Sequence, residues 1–220
     1  MPQPRNQSSK TSSDEQQLGF EYQYLYFILQ LLKMEPGDIV GYEALDDVHV
    51  ISDSNKKITY IQVKHTVNTA AQNIQTTLPR LSQDFWNTLS NWSKIVSDPV
   101  EKRHTAKAQI AFLDNTQFVL VVNRRVDKNE VVTKINELRE NKLSADAIKE
   151  YLSELETKTD DEKIRALIRD VKKLSKRVLV SFLKRISIVN TCSYLQSEIC
   201  NYIRAKMIPD EYVDDVLCQL

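Results

Sequence analysis

The chain has 220 residues, enough for one sizeable domain or a domain with an appendage, and Lys+Arg and Asp+Glu balance at 30 each. That balance favours no particular partner, although a local basic patch is enough for phosphate contacts. The three glycines, Gly19, Gly37 and Gly41, form no G-x-x-x-x-G-K-[ST] or G-x-G-x-x-G pattern, which argues against a nucleotide-cradling loop. Cys192, Cys200 and Cys218 lack C-x-x-C spacing and suit reduced thiols better than a disulfide framework or a zinc site.

Residues 1–17 have no apolar signal-peptide core and read as a disordered lead-in. From Phe20 to Met34 the chain is apolar on most faces, with Leu25, Ile28 and Leu32 forming one stripe of a largely buried helix. This run is too short and interrupted to span a bilayer, so the expectation is a cytoplasmic protein with no membrane contact. "EPGD" at 35–38 ends the helix.

Next come two Val/Ile/Tyr-rich runs flanking "SDSNKK", the signal for a β-hairpin over 43–66. Residues 67–77 are polar and ambiguous. Beyond Pro79, Leu81, Phe85, Leu89, Trp92 and Ile95 recur at amphipathic-helix spacing, with Trp86 and Trp92 expected to pack on a sheet. "AQIAFL" and "QFVLVVN" read as two more strands. From about Asp127 helical patterns dominate, with a short strand at 186–189 and a closing helix in "TCSYLQSEICNYIRAKM". The expected fold is an α/β core over 18–126, with a mainly helical part over 127–220 packed on it.

The hairpin places an acid, an amide and an ammonium inside its strands. By parity Ile58, Tyr60, Gln62 and Lys64 share one face of the second strand, and Glu43, Leu45, Asp47, His49 and Ile51 one face of the first. With the turn centred on Ser54–Asn55, paired residue numbers sum to 109, setting Asp47 opposite Gln62 and diagonal to Lys64. A one-residue slip brings in Asp46 instead. A carboxylate and an ammonium on a partly apolar face need a partner or a metal. Such a cluster suits phosphodiester hydrolysis. Asp47 and the Gln62 oxygen, with the Val63 carbonyl, can ligate a hard cation, and Lys64 can orient water or offset phosphorane charge.

At "GFEYQYLYFILQLL", "YEALDDVHV" and "ITYIQVKHT" the sequence resembles the PD-(D/E)XK nuclease superfamily. More narrowly, it is similar to the N-terminal double-stranded-DNA endonuclease domain of bacterial antiphage effectors of CBASS and Lamassu type. The resemblance is closest over 18–66. It implies a restriction-endonuclease-like core, a mixed sheet flanked by helices, and an endonuclease dependent on Mg²⁺ (or Mn²⁺) with low sequence specificity for double-stranded DNA. It assigns Asp47 to the metal-binding acid, Gln62 and Lys64 to the ends of the (D/E)-x-K element and Glu43 to an upstream acid. Glu21 resembles a helix glutamate of Mrr-like members. A homo-oligomer or a defence-system sensor is the further partner it implies. Gln62 stands where the superfamily pattern has an acid, and this favours the alternative: a decayed nuclease fold that binds DNA or protein. A third reading is a helical adaptor with an α/β scaffold. Of the basic clusters, Arg124 and Arg125 at the end of a sheet strand are the candidate phosphate contacts.

Overall fold

A computed structural model describes residues 7–65, 77–191 and 195–219, with side chains from 17 onward. The elements run α1 (Gln7–Lys33), β1 (Ile39–Tyr42), β2 (Val48–Ile51), β3 (Ile58–Lys64), α2 (Gln83–Val96), α3 (Ala106–Asp114) and β4 (Thr116–Val122). They continue with α4 (Glu130–Arg139), α5 (Ala145–Lys158), α6 (Glu162–Lys172), α7 (Lys176–Lys184), β5 (Ile186–Asn190), α8 (Leu195–Ala205) and α9 (Asp210–Gln219). The five strands form one mixed sheet in the order β1-β2-β3-β4-β5. Its first three strands are antiparallel and its last three parallel. This is the α/β class expected from the sequence, a mixed sheet flanked by helices with a helical C-terminal region.

Side-chain alternation sorts the two cores. Tyr60, Phe118, Leu120, Val122 and Ile186 face α2 and the α4–α7 helices, and Trp86 and Trp92 of α2 are buried against them. Trp92 and Phe118 lie 5.1 Å apart between ring centroids. On the opposite face Val48, Ile61, Val63 and Val121 pack against α1, α8 and α9. Burial on both faces explains the near-continuous apolar run of β4, as parallel strands require. β3 is therefore the middle strand, held by β2 on one side and β4 on the other.

Local signals explain where the helices begin. Ser82, Thr105, Asn129, Ser144 and Asp161 each accept a bond from a first-turn amide of α2, α3, α4, α5 and α6. Buried Asn129 also donates from Nδ2 to the Leu78 and Pro79 carbonyls, tying the start of α4 to the segment that leads into α2.

Three expectations are corrected. "AQIAFL" is helix α3, because Thr105 caps it and Gln109 and Leu113 bury one face at i, i+4 spacing. The first hairpin strand begins at Val48; residues 43–47 form a bend, opened by Glu43 at φ 51° and closed by its amide donating to the Asp47 carbonyl. Residues 7–17, read as a disordered lead-in, continue α1; neither Pro nor Gly interrupts them, and extending a nucleated helix adds a bond per residue. The charged run over 160–185 forms α6 and α7, separated by Lys173–Ser175. Residues 66–76 and Cys192 lie outside the described residues. Among the described residues, no helix is long and apolar enough to cross a membrane.

Candidate functional site

The pairing of β2 with β3 sets the site. Val48 pairs with Ile61, His49 with Tyr60 and Ile51 with Ile58, the register deduced from the turn. Continued one step, it sets Asp47 against Gln62, and the two side chains touch. Gln62 Nε2 donates to Asp47 Oδ2, and the Val63 amide donates to the same oxygen at 2.8 Å. Asp47 stands just outside the strand, on the bend, yet it is anchored to β3 by side chain and main chain together. Lys64 follows two residues along on the Gln62 face and makes no hydrogen bond or ion pair with a described residue.

Asp46 has a different place. Its Oδ2 accepts from the indole Nε1 of Trp92 at 2.7 Å, and its Oδ1 accepts from the Asp47 amide at 3.1 Å. Burial holds the Asp46 carboxyl above the usual carboxylate range and the charge of Asp47 adds to this, while the Trp92 bond and Lys64 pull the other way. A core tryptophan thus pins the bend that presents Asp47. Hydrogen bonds to charged groups contribute about 1.5–3 kcal/mol. With about 2–4 °C of Tm per kcal/mol at this size, Trp92→Phe is expected to lower the thermal midpoint by roughly 3–12 °C. Asp46→Ala should do the same, and calorimetry of the double variant should show a loss well short of the sum. Additive losses would mean that the bond does not link the two residues.

Asp47, Val63, Lys64 and His65 line a cleft of about 350 Å³ against Gly19, Phe20 and Gln23 of α1. Glu43, Ala44 and Leu45 line an adjoining hollow with Asp46 and Asp47; Glu43 itself is exposed at its rim. Glu21 is not brought to the cleft: it is exposed and accepts from Gln17 at 3.1 Å. The helix instead offers Gln23, which is 7% exposed and bonds to no described residue. Sequence reasoning missed it. The available signal was phase, since Gln23 lies four residues from Gly19 and two from Glu21, on the other side of the helix.

His65 leaves β3 with its ring 4.8 Å from that of Tyr22, whose hydroxyl bonds Thr191 Oγ1. These contacts join α1 and the ends of β3 and β5 behind the cleft. Burial pushes the His65 and His49 imidazoles below their usual range, so both favour the neutral form. His49 packs against β1, where a Cβ on Gly41 would fall 2.0 Å from its Cε1. Its role there is structural, and it explains the glycine.

Asp47 and Gln62 together fit a hydrated divalent cation. Asp47 Oδ1 accepts no hydrogen bond from a described residue, and the Gln62 amide supplies a second hard oxygen when turned about its terminal bond. Among the described residues no group of three or more His, Cys, Asp and Glu could hold a metal. The donors that Asp47 and Gln62 offer are oxygens only, and two are too few to complete a cation's shell without water.

A mixed sheet between helical layers, with an acid, an amide and an ammonium gathered at the end of its middle strand, defines an α/β domain consistent with a nuclease. The chain belongs to the Cap4 family, dsDNA endonuclease domain, whose model matches residues 12–220. No curated protein matches it. Among solved structures, the Acinetobacter baumannii Cap4 SAVED/CARF-domain containing receptor is similar at 16% identity and TM-score 0.48, covering 90% of this chain and 39% of that one. The same receptor with the cyclic trinucleotide 3'3'3'-cAAA is similar at 17% identity and TM-score 0.48, covering 90% and 38%. The chain thus spans well under half the length of those receptors.

Proposed function

We propose that this chain is a metal-dependent endonuclease domain of the PD-(D/E)XK plan, cutting double-stranded DNA with little sequence preference. It serves as the destructive arm of a bacterial antiphage defence system. The observation that carries this reading is the Asp47–Gln62 contact with Lys64 two residues along β3, in a chain of the Cap4 endonuclease-domain family.

Asp47 and Gln62 would hold Mg²⁺ or Mn²⁺, and Glu43 at the rim of the hollow adds negative charge beside them. The ion, when bound, polarises the phosphate and lowers the pKa of a water. Lys64 presents its ammonium, unpaired among the described residues, to that water and then to the negative charge that develops on the phosphorane. Gln23 places an amide in the same cleft, able to bond a phosphate oxygen or a water. The bend and the strand are both fixed before substrate arrives, so little reorganisation is needed at the moment of reaction. The partners in this reading are double-stranded DNA and, from the resemblance, a second copy or a defence-system sensor.

The test is conversion of supercoiled plasmid in Mg²⁺, which should proceed with the wild type and stop on addition of EDTA. Cutting that is indifferent to EDTA would sink the metal-dependent reading. The second reading, a decayed nuclease fold retained for binding, is favoured by Gln62, which stands where the superfamily pattern has an acid and donates to Asp47. It expects duplex retention in EDTA with no cutting in any divalent metal.

A further inference from the structure

We propose that Lys64 and Arg124 jointly form a seat for one phosphodiester oxygen of DNA, and that Arg125 takes no part in it. The inference rests on the nuclease reading and specifies its phosphate contact. β3 and β4 pair in parallel with Gln62 against Leu120 and Lys64 against Val122. Arg124 lies two residues beyond Val122, in the bend that follows β4, and is brought beside Lys64 there.

Lys64 and Arg124 both line a small pocket walled by Leu78, Leu120 and Val122 and closed by the first turn of α2 at Ser82 and Phe85. Its volume is about 10 Å³, close to the space one oxygen atom of a water needs. A pocket of that size suits one phosphoryl oxygen at its mouth.

Neither cation is spent on a partner among the described residues. Arg124 makes no ion pair or hydrogen bond with a described residue, and its Nε is buried with no partner. Asp84 stands at the rim, exposed, and pairs with neither. A buried donor on a charged group is costly to leave unmade and calls for an acceptor from elsewhere. A phosphate oxygen supplies both the lone pairs and the charge, and a planar guanidinium matches its geometry. The N-terminal turn of α2 adds a favourable dipole to the same point.

Arg125, one residue along, has the opposite fate. Its Nε and Nη2 bond the two carboxylate oxygens of Asp127 at 3.3 and 2.8 Å, and its carbonyl accepts from the Leu78 amide at 2.8 Å. Its charge is neutralised in place.

The test is fluorescence anisotropy of a short DNA duplex with the full chain, run across a salt series in EDTA and again in Ca²⁺. Arg124→Ala is expected to weaken binding about equally on unrelated sequences and to reduce the slope of log K against log salt by about 1. Arg125→Ala should leave both unchanged. Arg124→Lys should recover most of the slope, showing that the loss is one of charge and not of folding. Equal slopes for wild type and Arg124→Ala, or equal losses for the two alanine variants, would overturn the seat while leaving the nuclease reading standing. Calorimetric binding of inorganic phosphate that depends on Arg124, with duplex affinity unaffected, would assign the pocket to a free anion and overturn it too. Absence of duplex binding by the wild type would overturn both the seat and the reading beneath it.

Discussion

Lys64→Ala is expected to reduce plasmid cleavage by about 10²–10³-fold, the size of effect that follows loss of one group aimed at developing negative charge. The ammonium is unpaired among the described residues and sits at the end of the sheet's middle strand, so its removal should cost little stability. A thermal midpoint within a few degrees of wild type, alongside the lost cutting, would place the effect in the chemistry. Asp47→Ala should abolish cutting as well, but with a different signature. It removes the acceptor for Gln62 Nε2 and the Val63 amide, so metal binding and local stability should both fall. Cleavage that survives both substitutions would place the site elsewhere on the chain.

Gln62→Glu should separate metal affinity from stability. In the free protein the amide donates to Asp47, and a glutamate there exchanges a hydrogen bond for a facing like charge. The cost is about 1–3 kcal/mol, or roughly 2–12 °C of Tm at this chain length. With Mg²⁺ the sign reverses, since two carboxylates bind a divalent cation more tightly than a carboxylate and an amide. Differential scanning calorimetry with and without Mg²⁺ should therefore show a lower midpoint for the metal-free variant and a larger upward shift on adding the ion. A variant whose midpoint does not respond to Mg²⁺ more than the wild type would count against Asp47 and Gln62 as ligands.

Much of this arrangement was legible in the sequence. A turn centred on Ser54–Asn55 gives the register found between β2 and β3, which sets Asp47 against Gln62, whereas a one-residue slip would have chosen Asp46. Trp86 and Trp92 announced the helix that covers the sheet. What escaped was decided by tertiary packing. "AQIAFL" is a short apolar run of the kind that periodicity cannot assign to strand or helix. The Trp92–Asp46 bond joins residues 46 positions apart through the packing of α2, and no local pattern records it. Glu21 looked like the helix acid by residue type, whereas helix phase selects Gln23. Arg124 and Arg125 are equivalent as letters; an aspartate two residues downstream occupies one and leaves the other open.

The late arrival of β5 bears on how the protein is made. This strand joins the sheet roughly 60 residues after β4 ends, with four helices between them, which on the ribosome is on the order of 3–12 s of further synthesis. Until then β4 is an outer strand with an unpaired edge, and the Tyr22–Thr191 tie behind the cleft has no second half. Parallel pairings across so long a connection also form slowly. The sheet that frames the site is thus completed late in translation, and a nascent chain that stalls early carries the three site residues without their finished frame.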